Sequence, residues 1–358
     1  MNSAAPAKPK ISVIILNYNG RRWLPRLFES LETQTILSQI EVIIPDNNSD
    51  DESDLLAEKW LNKTKKGRLI RTGENLGFSG GNNRGATEAA GKYLFFLNND
   101  TWLEPDCLEI LLRETESAGA DASAPVVVNY EDDAFQSIGG PGIDLFGIPV
   151  PHEKPLTRTR RLFTLPGCSF LISARLFKAI GEFDEAHFMY GEEADLTWRV
   201  WIAGGHVVGI PSARIHHRGG GATNVSGGTG DAGFHTTADR RYFTNRNGLI
   251  RLMKNAQHFL LLLVIPHLLL LALEATAVLL IVRRPNFVRR AYGQAVWDAF
   301  RMMPHIRRRR KSIRSCRQRG DFWMLRFLRL KPSRLSEVKP LLKSGWPFKS
   351  RVLKVEGN

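Results

Sequence analysis

Residues 93–100 read Tyr-Leu-Phe-Phe-Leu-Asn-Asn-Asp, so an apolar run ends abruptly in two amides and a carboxylate. The apolar part is typical of a strand inside a sheet. In open α/β sheets, ligands bind at the carboxyl ends of the strands. Oxygen ligands at such an edge suit a hard cation such as Mg²⁺ that holds a diphosphate. Taken alone, the same residues also fit a plain turn without a ligand.

Two earlier apolar runs end in the same way. Residues 11–16 are followed by Asn-Tyr-Asn-Gly at 17–20, and residues 41–44 are followed by a polar turn at 46–51. Helical periodicity follows each turn, and a Gly- and Asn-rich loop at 75–85 opens another helix. This alternation predicts an α/β fold that is Rossmann-like, with a mostly parallel sheet and crossover helices. The polar turns then line one pocket at the sheet edge.

Several common site types are absent from the sequence. No G-x-G-x-x-G follows the first strand and no G-x-x-x-x-G-K-[ST] occurs, so neither a nicotinamide site nor a P-loop is supported. The three cysteines are widely spaced, which indicates neither a disulfide framework nor a zinc site. The hydrophobic content of 43% is sufficient for a large folded core.

Charge is distributed unevenly along the chain. From residue 283 onward there are 22 Lys and Arg against 4 Asp and Glu, a net of +18. The whole chain carries +14, so +14 minus +18 leaves −4 for residues 1–282. Such a basic segment attracts polyanions, either an anionic membrane surface or nucleic acid. Nucleic acid is the poorer fit, because no recognition motif accompanies the charge.

The apolar run at 259–282 favours the membrane. It is long enough to cross a bilayer once. Arginines flank both of its ends and Glu274 interrupts it, whereas Lys and Arg prefer the cytoplasmic side. We therefore expect an interfacial or re-entrant helix rather than a single span, and a buried helix of a soluble core is a further alternative. The basic run at 307–311 is expected to contact lipid head groups.

The motifs in order identify a family. Residues 17–19, 46–51, 75–85 and 97–100 resemble the successive motifs of family 2 glycosyltransferases with the GT-A fold. The resemblance is strongest to the bacterial rhamnosyltransferase-like branch and covers roughly residues 10–255. It implies a nucleotide-diphosphate sugar as donor, with dTDP-rhamnose favoured over a UDP-sugar such as a UDP-hexose or UDP-N-acetylhexosamine. It also implies an inverting reaction that depends on Mg²⁺ or Mn²⁺.

The same resemblance assigns residues of the donor site. Asp100 is implied as a metal ligand, and Asp46 as the acceptor for a pyrimidine N3–H, because a carboxylate accepts hydrogen bonds. The chain departs from the family at Asn98, where an aspartate is frequent, and an amide oxygen is a weaker ligand for a hard cation. The residues implied to contact the nucleotide sugar are Asn17, Tyr18, Asn19, Asp46, Asn48, Gly77, Phe78, Asn82, Asn98 and Asn99.

Three carboxylates open a predicted helix at Glu192, Glu193 and Asp195. Acidic residues in a first turn also simply favour the helix dipole. Glu192 and Glu193 lie about 100° apart around a helix and cannot both point at one place, whereas Glu192 and Asp195 share a face. The family usually has Glu-Asp-x-Asp here, and its second acid is the catalytic base. The resemblance therefore implies Glu193 as the base, with Glu192 and Asp195 beside it.

A histidine pair, His216 and His217, follows a predicted strand and precedes a glycine-rich stretch. An imidazole at this place suits a metal ligand. The family places such a histidine here, and we expect His216 to be the ligand, with His217 as the close alternative. A pair of surface histidines without a ligand also fits.

The sequence therefore predicts a membrane-associated glycosyltransferase. The expected acceptor is a lipid-linked glycan of cell-envelope polysaccharide synthesis, at the cytoplasmic face of a bacterial inner membrane. The departures at Asn98 and Glu193 leave open a catalytically weak subunit that only binds sugar nucleotides. The predicted segments are a disordered N-terminus at 1–10, a GT-A domain at 11–255, an apolar and basic membrane-associating region at 256–320, and a basic tail at 321–358.

Overall fold

The computed structural model describes residues 8–219, 237–330 and 332–333. The chain divides into two compact units, the first formed by Met1–Gly140 with His152–Gly227 and the second by Pro141–Pro151 with Gly228–Asn358. Most of the N-terminus predicted to be disordered, and most of the predicted basic tail, lie outside the described residues.

Thirteen strands lie within the described residues, most of them in the first unit. In chain order they are β1 Ile11–Leu16, β2 Ile40–Asp46, β3 Gly67–Arg71, β4 Tyr93–Asn98, β5 Thr101–Leu103, β6 Ala122–Asn129, β7 Phe135–Ser137, β8 Gly142–Asp144, β9 Pro149–Val150, β10 Arg160–Arg161, β11 Ser169–Ser173, β12 Val207–His217 and β13 Leu328–Arg329.

The α-helices are numbered in the same way. They are α1 Leu24–Glu32, α2 Ser53–Thr64, α3 Gly77–Thr87, α4 Cys107–Ser117, α5 Ala174–Ala179, α6 Glu192–Ile202, α7 Ala238–Asn255, α8 Val264–Ala277, α9 Pro285–Val288, α10 Ala295–Arg301, α11 Met303–Cys316 and α12 Asp321–Met324.

The first unit is built on one ten-stranded sheet with the order β10-β12-β6-β11-β4-β1-β2-β3, in which β5 pairs with β12 and β7 with β6. Strands β1, β2, β3 and β4 are parallel, which confirms the predicted α/β fold. Strand β11 runs antiparallel between β4 and β6, and β12 is parallel to β6. The carboxyl ends of β1, β2 and β4 therefore meet at one edge, and the start of β11 lies beside them.

Helix packing holds this edge in place. Helix α1 buries Leu24, Leu27, Phe28 and Leu31 on one face, as its 3.6-residue periodicity predicts. The Phe28 ring stacks on Trp60 of α2 with a centroid distance of 4.3 Å. Such an aromatic pair adds about 0.5–1.5 kcal/mol beyond its buried area. The two crossover helices are thus joined on one side of the sheet.

The second unit contains α7 to α12 and a small sheet in which β8 pairs with β9 and β13. Helix α7 belongs to this unit, although the sequence placed residues up to 255 with the first domain. The reason is that Leu249, Ile250 and Met253 of α7 pack in one cluster with Leu271, Tyr292 and Ile306. One helix, Leu260–Ile281, is long and apolar enough to cross a membrane, with a mean hydropathy of 2.2 over a window that is 11% buried.

Candidate active site

The ends of β1 and β2 are joined by side chains. Asn17 forms a bridge with Asp46, and its amide donates to Asp46 Oδ1 at 2.7 Å and to Ser53 Oγ at 2.8 Å. Ser49 donates to the same carboxylate through its backbone N–H at 3.1 Å and its hydroxyl at 2.6 Å. Asp46 is 3% exposed. A carboxylate has about four acceptor positions, so three donors leave Asp46 capacity for one more.

The two loops that follow these strands interlock through Asn19. Its backbone N–H donates to Ser49 Oγ and its side-chain oxygen accepts from the Asp50 N–H, each at 3.0 Å. Asn19 and Asn48 have φ of 51° and 67°, in the left-handed region that asparagine tolerates better than most residues. Asn48 is exposed and Tyr18 is half-buried. Asn48 is therefore accessible at this sheet edge, and Tyr18 is partly so.

The loop before α3 is fixed by Asn47, which the sequence analysis did not select. Its amide donates to Asn75 Oδ1 at 2.9 Å and to Gly77 O at 3.1 Å, and its oxygen accepts from the Leu76 N–H at 3.1 Å. Gly77 has φ of 70°, and a Cβ there would lie 2.5 Å from the Phe188 ring, so only glycine fits. In the sequence, Asn47 could have been found as the neighbour of Asn48. In the structure, the Asn47 side chain is buried and the Asn48 side chain is exposed.

Two of the predicted contact residues make packing contacts, Asn82 as a buried side chain and Phe78 as a half-buried one. Asn82 is 1% exposed and its amide donates to Phe78 O at 3.0 Å within α3. The Phe78 ring packs edge-on against Phe183, with a centroid distance of 5.7 Å. Direct contact of either side chain with a donor stays a prediction. In the structure, both have roles in packing α3.

The turn after β4 is tied to the end of β1 through Asn99. Its amide donates to Asn17 Oδ1 at 3.1 Å. Asn98 ends β4, and its backbone N–H donates to Cys168 O at 2.9 Å. A Cβ at Gly20 would lie 2.4 Å from both Asn17 Oδ1 and Asn99 Nδ2. A larger residue at position 20 would therefore separate the two amides.

Asp100 lies beside His217 rather than His216. His217 Nε2 is 3.4 Å from Asp100 Oδ1, and the Asp100 carboxylate is almost fully buried. His216 turns the other way: its Nε2 lies 2.9 Å from Glu104 Oε1, and its ring stacks on Trp102 at 3.4 Å. Successive side chains of a strand point to opposite faces, so only one of the two histidines reaches Asp100. Of the two histidines, His217 is therefore the one that lies beside Asp100, whereas the sequence favoured His216.

The environment of His217 also changes the pKa of its imidazole. Burial acts to lower the pKa of its imidazole, but contacts with the Cys168 thiol and the Asp100 carboxylate outweigh it and raise the pKa well above its usual range. A metal ligand must be the neutral imidazole. Binding of a cation to Asp100 and His217 would therefore release a proton, and its affinity would increase with pH.

The three acids that open α6 have different environments. Asp195 is fully buried and pairs with Arg199, with Nη2 at 2.9 Å and Nε at 3.0 Å from Oδ2. Glu192 is 5% exposed, whereas Glu193 is half-buried. A base must reach the acceptor hydroxyl, and of the three acids Glu193 is the most exposed.

Glu193 faces the short segment Gly167-Cys168. A Cβ placed on Gly167 would lie 3.6 Å from Glu193 Oε2. The carbonyl oxygen of the next residue, Cys168, accepts a hydrogen bond from the Asn98 N–H, and the Cys168 side chain contacts His217. The predicted base and the predicted metal residues thus approach one segment from different elements. Nothing in the composition of residues 167–168 marks this segment in the sequence.

Glu192 gives a prediction about stability. Burial, and next the charge of Glu193, raise the pKa of its carboxyl well above the usual value. As pH rises past the ordinary glutamate pKa, the unfolded chain ionises Glu192 while the folded chain keeps it protonated, so folding stability falls. We expect the melting temperature of Glu192→Gln to fall less between about pH 5 and pH 8 than that of the wild type. Differential scanning fluorimetry measures it, and equal pH slopes would contradict a protonated Glu192.

A second group of metal-ligand types occurs in the first unit. Asp184, His187 and Asp195 are all buried, and one ligand atom from each lies within 4.8 Å of the others. This set has the ligand types of a divalent-cation site. Arg199 already pairs with Asp195, and Asp184 caps a turn by accepting from the Ala186 N–H at 3.3 Å. These bonds compete with a cation for the carboxylates.

The chain matches known families and folds. Residues 12–181 match the family model "Glycosyl transferase family 2". The glycosyltransferase EpsH of Bacillus subtilis is 34% identical over 34% of this chain and 34% of its own length. Polypeptide N-acetylgalactosaminyltransferase 12 of Mus musculus is 29% identical over 58% of this chain and 40% of its own length. The chain thus spans well under half of the curated relatives that it matches.

Solved structures with the same fold support this result. GalNAc-T7 with UDP, GalNAc and Mn²⁺ aligns with a TM-score of 0.55 and 18% identity, over 69% of this chain and 48% of that one. Staphylococcus aureus TarS 1–349 with UDP aligns with a TM-score of 0.54 and 15% identity, over 86% and 88%. Residues 12–181 therefore resemble the family 2 glycosyltransferases, and the chain shares the fold of these solved structures.

Proposed function

We propose that the protein transfers a sugar from a nucleoside-diphosphate donor to a hydroxyl of an acceptor. The observation that carries this proposal is the meeting of three groups at one sheet edge. The buried Asp46 network follows β2, the Asp100–His217 pair lies at the ends of β4 and β12, and Glu193 faces the Gly167-Cys168 segment. A donor site, a cation site and a base at one edge are what such a transfer needs.

The proposed reaction is a direct displacement. Glu193 takes the proton from the acceptor hydroxyl, the acceptor oxygen forms a bond to the anomeric carbon, and the bond from that carbon to the diphosphate breaks. Configuration at the carbon is inverted, which rests on the motif resemblance. Asp100 and His217 have the oxygen and nitrogen ligands that suit Mg²⁺ or Mn²⁺. Such an ion supplies Lewis-acid neutralisation of the diphosphate that leaves.

The identity of the donor rests on two different supports. The motifs resemble the rhamnosyltransferase-like branch, which favours dTDP-rhamnose. The structural relatives named above were solved with UDP, and TarS also with UDP-GlcNAc, which favours a UDP-sugar. Thymine and uracil share the N3–H that Asp46 could accept. The Asp46 carboxylate could therefore accept a hydrogen bond from either base.

A donor panel tests the proposal. We expect the purified protein with Mn²⁺ to release free nucleoside diphosphate from one class of donor at least about tenfold faster than from the others. The reason is that an active site discriminates between substrates by binding their transition states with different strength. dTDP-rhamnose, UDP-GlcNAc, UDP-GalNAc and UDP-hexoses are compared, with and without chelator. Tight binding of a donor without turnover, in the presence of any acceptor tried, would instead support the sugar-nucleotide binding subunit.

We also propose that the acceptor is a lipid-linked glycan at the cytoplasmic face of the membrane, reached through residues 256–320. The support is the apolar helix Leu260–Ile281 and the excess of Lys and Arg after it. An anionic bilayer attracts such a segment by about 1 kcal/mol per basic residue near its surface. Two measurements test this part separately from the donor panel. One is extraction of the protein from the membrane fraction, and the other is sugar transfer to acceptors in lipid extracts.

A further inference from the structure

The apolar helix of the second unit has two unlike faces. On one face, His267 and Leu271 are almost fully buried, and His267 Nδ1 lies 2.7 Å from Phe146 O. A Cβ on Gly248 of α7 would lie 3.1 Å from the His267 ring, so α7 and α8 are in close contact there. The opposite face is apolar and 59–69% exposed, at Leu262, Ile265, Leu269, Leu273 and Leu280.

Polar contacts continue along the packed face. Tyr292 Oη lies 3.4 Å from Glu274 Oε2, and Arg241 Nη1 lies 4.0 Å from the same carboxylate oxygen. The partners of Glu274 come from α7 and from the π-helical turn Arg289–Gln294, which also carry charged residues. A spanning position would carry these polar neighbours into hydrocarbon or break their contacts, and either is costly. The length of the helix permits a span, but its packed face opposes one.

The second unit also exposes basic and aromatic side chains. Phe322 is 80% exposed, and its ring lies 4.5 Å from that of Phe259, next to the start of the apolar helix. Helix α11 buries Ile306 and Ile313, and four of its exposed side chains are basic, Arg307, Arg308, Lys311 and Arg314. The second unit thus exposes both an apolar helix face and a set of basic side chains, the two groups that helices in a membrane interface use.

We propose that the second unit binds the surface of an anionic bilayer with the apolar helix lying in the plane of the membrane. The exposed Leu and Ile face enters the boundary between head groups and acyl chains, and the α11 arginines contact the head groups. Both ends of the helix then remain on one side of the membrane. This inference rests on the membrane association proposed above and specifies its geometry.

Vesicle binding tests the apolar face. The full chain is floated with phosphatidylcholine vesicles that contain or lack about 30% phosphatidylglycerol, at low and high salt. We expect the double variant Leu269→Ser/Leu273→Ser to lose at least about tenfold in vesicle affinity, because each buried CH₂ contributes about 0.8 kcal/mol. The matched control is Leu55→Ser, a leucine of α2 that is 55% exposed in the first unit. Equal affinity of the two variants would overturn the proposal.

The basic contribution is tested in the same assay. Arg307→Gln/Lys311→Gln should weaken binding to anionic vesicles about tenfold and leave binding to neutral vesicles unchanged, because only the lipid charge term is removed. Nucleoside-diphosphate release in detergent checks that each variant is folded. Binding to RNA without binding to vesicles, or assembly into dimers that hides the apolar face, would contradict the proposal. Either result would leave the donor panel, and the catalytic proposal, untouched.

Labelling tests the in-plane geometry. Single cysteines replace His258 and Asn286, both exposed and at opposite ends of the apolar helix, and the unmodified chain gives the background from Cys316. The variants are bound to sealed vesicles and treated with a membrane-impermeant maleimide before and after detergent. We expect both positions to react fully before detergent. Protection of one end until detergent is added would show that the helix spans the bilayer and would overturn the inference.

Discussion

Glu193→Gln is expected to reduce sugar transfer by about 10²–10⁴-fold, the range that a positioned general base contributes. The amide keeps the size of the side chain but cannot take the acceptor proton. Donor binding should change little, because the Asp46 corner and the Asp100–His217 pair lie on other elements. Transfer rates at saturating acceptor, together with calorimetric titration of the donor, separate the two effects.

The control for this variant is Glu109→Gln, which removes another acid from the first turn of a helix, α4. It should leave transfer within about twofold, since an exposed dipole contact contributes only a few tenths of a kcal/mol to 1 kcal/mol to stability. Wild-type transfer by Glu193→Gln would show that the base is another residue. Glu192 is the poorer replacement, because its side chain is 5% exposed and offers little access to an acceptor hydroxyl.

Asp100→Ala is expected to abolish activity, with a loss of at least about 10³-fold, because a metal at a departing diphosphate supplies several kcal/mol of charge stabilisation. His217→Ala should also lose metal-dependent activity and should weaken Mn²⁺ binding. Chelation of the wild type should reproduce the effect. Mn²⁺ binding followed by electron paramagnetic resonance gives a readout that does not depend on turnover.

His216→Ala provides the matched control, since it removes an imidazole from the adjacent position of β12. His216 contacts Glu104 and stacks on Trp102, so its loss should lower stability but leave the affinity for Mn²⁺ unchanged. If His216→Ala loses the ion and His217→Ala keeps it, our choice between the two is wrong. If only Asp184→Asn loses it, the buried Asp184–His187–Asp195 group is the metal site.

The pH dependence of metal binding follows from the same pair. The contacts of His217 with Cys168 and Asp100 keep its pKa above the ordinary value. The raised pKa extends the range of pH over which the imidazole carries a proton, and a cation must displace that proton. Mn²⁺ affinity in the wild type should rise with pH, with a weaker slope in His217→Ala.

Much of the fold could be predicted from local pattern. Continuous apolar runs ending in Asn and Asp predicted the parallel strands β1, β2 and β4, because a strand covered on both faces needs no polar alternation. The placement of α7 could not be predicted in the same way. Its partners Tyr292 and Ile306 lie some 40 to 60 residues further along the chain, and no local signal links them.

The chemical types in the candidate site were already present in the sequence, in order along the chain. Amides and carboxylates stand after successive strands, acids open a helix, and two histidines end a strand. Only the tertiary structure decided which members of each set point together: His217 rather than His216, Asn47 inward and Asn48 outward, Glu193 accessible and Asp195 paired. The physical reason is that side-chain direction alternates along a strand and rotates along a helix. The face that becomes buried is therefore set by packing partners far away in the chain.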